Sequence, residues 1–315
     1  MNNIPIILAI DDNVVIPCGV TITSLLANAK ADTFYDIHIL YDAKTLSRTN
    51  IDFLTASFAG CKQGCVTFDE VRQSYDEANT EGHITKATYY RLNIPSLFPQ
   101  FEKAIYSDVD IIFQQDLSEL YQCAFSSNEL LAGSLDLAID DYCFNSNLPA
   151  AVGKTVKDYF NAGFLVMNLK QMREENVEKL FAEHAKKNYP QNDQDVLNVA
   201  CKDRVQLLPS LYNFQTNHFV NYMWGRQQTE IDFSEIMQKA TLHYTGPHKP
   251  WLSQECALAD AWWHYYRLSP VFDASFYFNH LQTQIETCRN DFRKKTAWQL
   301  LIRAMVNVKH IIFKK

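Results

Sequence analysis

Residues 4–10 run apolar without a charge and then stop at Asp11-Asp12. A run that short and continuous is what a strand buried on both faces shows, and such strands belong to parallel sheets covered by helices. The first two-thirds of the chain keeps to that theme. Residues 20–27 read as helix, 35–41 as a strand with Ile37 and Ile39 on one face, and Leu46, Ile51, Leu54 and Phe58 recur at helical spacing. Further strand candidates lie at 65–68, 103–106, 131–135 and 164–169, with a β-like run at 240–242. Residues 170–187 read as one charged, exposed helix. Alternation of this kind predicts a layered α/β fold. From about Pro270 the pattern turns helical, aromatic and then basic, which predicts a body over 1–269 and a helical tail over 270–315.

A chain that is 47% hydrophobic and 21% charged buries a real core, so disorder is excluded as a class. None of the nine glycines forms a G-x-G, which removes the dinucleotide fingerprint and the phosphate-binding P-loop. There is no H-E-x-x-H and no C-x-x-C, so zincin, zinc-ribbon and thioredoxin-like readings fall as well. The eight cysteines are scattered, and the first apolar run is short and lacks the basic leader of an export signal. The expectation is reduced thiols in a cytoplasmic protein, with Cys61 and Cys65 as spectators on a surface turn. The net charge of −7 is uneven. From Arg289 onward eight Lys/Arg stand against Asp291 alone, a local +7 that leaves −14 on the first 288 residues. So acidic a body makes nucleic acid a poor partner.

Tyr106-Ser107-Asp108-Val109-Asp110 carries the most chemistry. A strand ending at Ser107 puts two carboxylates at the carboxyl edge of the sheet, where open α/β sheets bind ligands. Carboxylates so close repel unless a cation lies between them, which brings in a divalent metal; the alternative makes one a helix cap and the other a solvated loop residue. In His243-Tyr244-Thr245-Gly246-Pro247-His248-Lys249-Pro250-Trp251, the histidine can offer an imidazole nitrogen to a metal, Gly246 allows close backbone approach and Lys249 can neutralise a phosphate; the plain alternative is a strand-end histidine with Trp251 as packing. Carboxylates with one imidazole suit Mn2+ better than Zn2+. Asn192-Asp193-Gln194-Asp195 opens a helix; Asn192 as a cap and dipole-matching acids account for the acids but not for the glutamine between them. Phe160-Asn161-Ala162-Gly163-Phe164 offers small residues against which a ligand can lie, or a plain turn feeding a strand.

These motifs, with Asp11-Asp12-Asn13 after the first strand and Arg91 in Thr88-Tyr89-Tyr90-Arg91-Leu92, resemble glycosyltransferase family 8 in type, order and spacing. The likeness spans roughly residues 4–251 and extends in particular to the bacterial lipooligosaccharide galactosyl- and glucosyltransferases. It implies a GT-A fold with a mixed, mainly parallel central sheet, a UDP-sugar donor, Mn2+ or Mg2+, and transfer with retention of anomeric configuration. By resemblance, Ala9, Asp11 and Asn13 hold the uridine, and Asp108, Asp110 and His243 bind the metal. Gly246 and Lys249 contact the diphosphate, while Arg91, Asp136, Asn161, Ala162, Asp193 and Gln194 surround the donor sugar. Val14 departs from the pattern, standing where an aromatic often stacks on uracil.

An amide is a poor nucleophile, so Gln194 favours front-face attack, with the departing phosphate taking the acceptor proton; Asp193 is the alternative nucleophile. Trp298, Leu301, Ile302, Met305, Val308 and Ile312 recur at helical spacing among basic residues. That pattern predicts a helix lying on an anionic membrane surface, at the inner face of the cytoplasmic membrane, where a saccharide or lipid-linked saccharide acceptor is presented. The competing reading packs the basic helix on the acidic body. Two other functions use part of the same residues: a metal-dependent phosphohydrolase, and a glycan-binding module without turnover. The first leaves Asp11-Asp12-Asn13 and Gln194 without work; the second leaves Asp108, Asp110, His243 and Gln194 without it.

Overall fold

A computed structural model describes residues 2–71, 86–122, 125, 128–137, 158–187, 189–219, 232–253 and 256–312. The described strands are β1 (Asn2–Ala9), β2 (Thr33–Tyr41), β3 (Gly64–Glu70), β4 (Ala104–Ser107), β5 (Ile111–Ile112), β6 (Leu131–Leu135), β7 (Phe160–Met167), β8 (Val205–Leu208), β9 (Phe214–Gln215) and β10 (Leu242–His243). Seven of them form one sheet in the order β3-β2-β1-β4-β7-β6-β8, and β5-β10-β9 form a second, smaller one. β1 runs parallel to β2 and β4, β2 to β3, and β6 to β8; β7 is antiparallel to both its neighbours. The sheet is thus mixed and mainly parallel.

The apolar runs explain the middle of that sheet. Ile4, Ile6, Ile7 and Leu8 of β1 are sealed from solvent, and every residue of β7 is buried. Helix Val15–Ala27 connects β1 to β2 and packs against β5 and helix Ala259–Leu268. It starts five residues before the expected 20–27, with Pro17 tolerated in its first turn, where no intrahelical N–H is needed. Gly19 gives this helix room, because a Cβ there would stand 2.7 Å from both methyls of Val271.

Two expectations need correction. β7 begins at Phe160, four residues before the expected strand, so Asn161-Ala162-Gly163 is strand and not a turn. Residues 170–187 are not one exposed helix. Asn176 adopts a left-handed conformation (φ 53°) and separates helices Leu169–Glu174 and Val177–Ala185, whose Leu169, Met172, Val177, Phe181 and Ala185 join the core. The charges on the outer face had masked a buried apolar stripe.

Residues Met1–Val271 form one compact unit and Phe272–Lys315 a second. The second carries helix Ala274–Ile312, on which Phe278, Ile285, Phe292 and Trp298 are exposed. No helix among the described residues is long and apolar enough to cross a membrane. Cys18, Cys61, Cys65, Cys201, Cys256 and Cys288 are free thiols. Cys123, Cys143, Lys314 and Lys315 lie outside the described residues, as do the side chains of Leu301, Ile302, Arg303, Met305, Val308, Lys309 and Ile312.

Candidate functional site

β4 is buried throughout and delivers its chain to Asp108-Val109-Asp110 at the carboxyl edge of the sheet. The loop is tied down on three sides. Asp108 N donates to Gly163 O (2.7 Å), Tyr244 N donates to Asp110 O (2.9 Å), and the Thr21 hydroxyl lies 2.8 Å from both Val109 O and Ile111 O. β10 pairs with β5, which brings His243 over the same loop; the histidine belongs to the strand and does not follow it.

Each of three residues keeps one atom out of the protein's own bonding. Asp108 Oδ1 accepts from Tyr106 (2.7 Å) and Arg91 (2.8 Å), which leaves Oδ2 facing His243. Asp110 Oδ2 takes the Lys249 ammonium, while its Oδ1 is buried without a hydrogen-bond donor, 3.3 Å from His243 Nε2. His243 Nδ1 is occupied by Asn213 (2.9 Å), which leaves Nε2. One ligand atom from each of Asp108, Asp110 and His243 lies within 4.8 Å of the others. Two hard oxygens and one imidazole nitrogen with an orphaned buried carboxylate oxygen among them fit a divalent cation such as Mn2+ or Mg2+. Gly163 makes the room: a Cβ there would overlap His243 Cε1 and come within 2.9 Å of Asp108 Oδ2. Burial pushes the Asp110 carboxyl up, but the Lys249 ammonium beside it outweighs that and holds it well below the usual carboxylate range.

Arg91 is buried against this cradle. Its Nε donates to Thr88 O (2.9 Å) and lies 2.9 Å from Asp193 Oδ2, while its guanidinium covers the Tyr106 ring at 4.3 Å. Burial lifts the Asp193 carboxyl to about 6, against the pull of Arg91. Asp193 and Gln194 stand in the first turn of helix Asn192–Ala200, which Asn198 clips to β7 through Phe160 N and Phe160 O. Asn192 takes a positive φ of 50° and does not cap the helix; Asp195 Oδ2 instead accepts Gln191 N at 2.8 Å. The glutamine that a capping role left unexplained faces the site. Gln194 Oε1 accepts Ala162 N (3.0 Å), and Nε2 reaches Asp136 Oδ2 (2.8 Å) and the Tyr159 oxygen (3.2 Å).

One cavity of about 280 Å3 gathers eleven of the expected residues: Arg91, Asp108, Asp110, Asp136, Asn161, Ala162, Asp193, Gln194, His243, Gly246 and Lys249. Gly246 takes a φ of 76°, the left-handed region that favours glycine. Ala9, Asp11 and Asn13 are not in its wall. They sit at the carboxyl end of β1, beside β4, where Asp11 Oδ1 accepts Asn13 N (2.9 Å). Thr88, Gly163, Gln191, Gln215, Asn217 and Thr245 also line the cavity and were not expected as site residues. Thr88, Gly163, Gln191 and Thr245 lie in or beside the motifs; Gln215 and Asn217 carry no local signal beyond the polar run from Asn213 to Asn217.

The sheet that carries this carboxylate-imidazole cradle is that of the GT-A glycosyltransferases. The solved galactosyltransferase LgtC, determined with donor and acceptor sugar analogs, superposes with a TM-score of 0.71 at 26% identity, over 87% of this chain and 99% of that one. The chain belongs to glycosyl transferase family 8, whose profile matches residues 5–255. A putative glycosyltransferase of Haemophilus influenzae is 32% identical over 250 residues, 74% of this chain and 68% of the relative. The lipopolysaccharide 1,3-galactosyltransferase of Salmonella typhimurium is 29% identical over 253 residues, 78% of this chain and 72% of the relative.

Proposed function

We propose that this glycosyltransferase moves a hexose, galactose or glucose, from a UDP-sugar to a saccharide acceptor of the lipopolysaccharide or lipooligosaccharide core, with retention of configuration. The observation that carries the reading is one cavity in which Asp108, Asp110 and His243 converge opposite Arg91, Asp193 and Gln194. A divalent cation held by those three residues, Mn2+ by preference, supplies Lewis-acid neutralisation of the diphosphate leaving group. Lys249, beside Asp110 and 2.6 Å from Tyr244 O, adds a second positive charge for that group, next to the open backbone at Gly246. Arg91, Asp136, Asn161 and Ala162 border the sugar, and Ala9, Asp11 and Asn13 receive the uridine at the neighbouring strand end.

Gln194 is held by Ala162, Asp136 and Tyr159, which makes it a fixed dipole for the positive charge developing on the sugar. Asp193, the competing nucleophile, has the Arg91 guanidinium 2.9 Å from its Oδ2, a positive charge that weakens it as a nucleophile. Both features favour attack from the leaving-group face, with the departing phosphate taking the acceptor proton. Residues 1–269 then form the catalytic body, and 270–315 dock it on the anionic inner face of the cytoplasmic membrane.

The test is a donor panel of UDP-galactose and UDP-glucose with Mn2+ or EDTA, scoring glycosidic product and phosphate release in parallel. Product with retained anomeric configuration from one donor, abolished by EDTA, is the expected result. Phosphate release alone indicates a phosphohydrolase, and donor binding without turnover indicates a glycan-binding module.

A further inference from the structure

A row of buried amides leads from the sugar side of the cavity to the imidazole. Asp136 Oδ2 accepts from Asn161 Nδ2 (3.2 Å) and Gln194 Nε2 (2.8 Å), which directs the Asn161 amide nitrogen toward Asp136. Asn161 Oδ1 accordingly points the other way, where it accepts Gly163 N at 3.0 Å. A backbone N–H is a donor only, so the orientation of Asn161 is fixed from two independent sides. The same oxygen lies 2.9 Å from Asn213 Nδ2, and Asn213 must donate there because Asn161 Oδ1 accepts only. Asn213 Oδ1 is thereby turned to His243 Nδ1, again at 2.9 Å. Asn213 has no exposed surface, so water does not compete for either bond.

An amide oxygen accepts and never donates, so the hydrogen in the last bond resides on the imidazole. We propose that Asn213 is a positioning residue that holds His243 as its Nδ1–H tautomer and thereby bares Nε2 toward Asp108 and Asp110. The orphaned Asp110 Oδ1, 3.3 Å from Nε2 and without a donor, is what an unprotonated Nε2 leaves behind. The other neutral tautomer places a proton where a cation needs a lone pair, and which tautomer forms is set by the bond at the far nitrogen. The inference deepens the metal reading of the same site. It adds a residue that none of the sequence motifs contains and whose partners are 52 and 30 positions away.

The test begins on metal-free full-length enzyme labelled with 15N-histidine, at mildly alkaline pH, with His243 assigned by the missing signal in His243→Gln. The expected spectrum shows a pyrrole-type Nδ1 and a pyridine-type Nε2. Asn213→Leu, close in shape but without an acceptor, should move His243 toward the Nε2–H form and weaken Mn2+ binding about 10- to 100-fold in a paramagnetic-resonance titration. Asn213→Asp keeps an acceptor at Nδ1 and should retain the wild-type tautomer. A pyridine-type Nδ1 in the wild type overturns the proposal, whether or not either variant folds. A folded Asn213→Leu enzyme with unchanged tautomer and Mn2+ affinity overturns it equally. Wild-type protein with the expected tautomer but no Mn2+ uptake would instead sink the metal reading and leave this assignment standing.

Discussion

Gln194 commits its whole carboxamide to the protein: the oxygen to Ala162 N–H, the nitrogen to Asp136 and Tyr159. A dipole so held costs no reorientation when charge develops beside it, which is the role proposed for it. Gln194→Ala should therefore lower kcat about 10- to 1,000-fold with little change in donor affinity, as read from steady-state rates beside calorimetric UDP binding. Complete inactivity with a glycosyl adduct on Asp193 would point to double displacement instead. Most cavity residues were legible in the sequence because they come as short polar runs at strand ends and a helix start, such as Asp108-Val109-Asp110 and Asp193-Gln194. Asn213, Gln215 and Asn217 were not. Their meaning comes from partners far along the chain, and buried amides leave no periodicity to read.

At the level of elements, helix Val15–Ala27 holds the loop that carries both carboxylates. The Thr21 hydroxyl is buried between Val109 O and Ile111 O, and one hydrogen serves both. Thr21→Val keeps the shape and removes the donor. It should cost about 1–3 kcal/mol in chemical denaturation and weaken Mn2+ binding, since the loop loses a tether. β2 and β3 are joined by a different device. His38 Nδ1 meets Asp69 Oδ2 at 2.8 Å, Nε2 lies 3.4 Å from Asp36, and the ring packs edge-on against Phe98 and Phe101. Burial alone would lower its proton affinity, but the two carboxylates outweigh it and the pKa is raised. A raised folded-state pKa stabilises the fold below the unfolded value of about 6.5, and the gain fades as pH climbs through the folded value. The melting temperature of the wild type should exceed that of His38→Gln most in mildly acidic buffer, with the gap narrowing as pH rises through the folded-state value. A gap that widens with pH would contradict the sign.

Strands were legible where apolar residues run together, as from Ile4 in β1, or alternate onto one face, as Ile37 and Ile39 do in β2. The start of β7 was not, because Asn161 and Gly163 face the cavity and look like turn residues. The break at Asn176 escaped notice because its left-handed backbone shows only in three dimensions.

For the molecule as a whole, charge and surface separate along the chain: +7 from Arg289 onward against −14 before it. Each basic residue near an anionic bilayer contributes about 1 kcal/mol, weakened by salt. A chain truncated at Asn290 should still transfer from UDP-sugar to small water-soluble acceptors, yet fail to sediment with anionic liposomes. Sedimentation equal to that of the full chain would make the tail structural. The α/β class was legible from alternation alone, whereas the antiparallel direction of β7 depends on pairings no local pattern encodes.

Val271, where the first unit ends, is seated on Gly19, two residues before Thr21 in the same helix. The place where the chain leaves its body is thus one rigid step from the hydroxyl that clamps the carboxylate loop. Helix Val15–Ala27 is therefore one mount for the carboxylate loop and for the last residue of the first unit, so a side chain added at position 19 would disturb both at once.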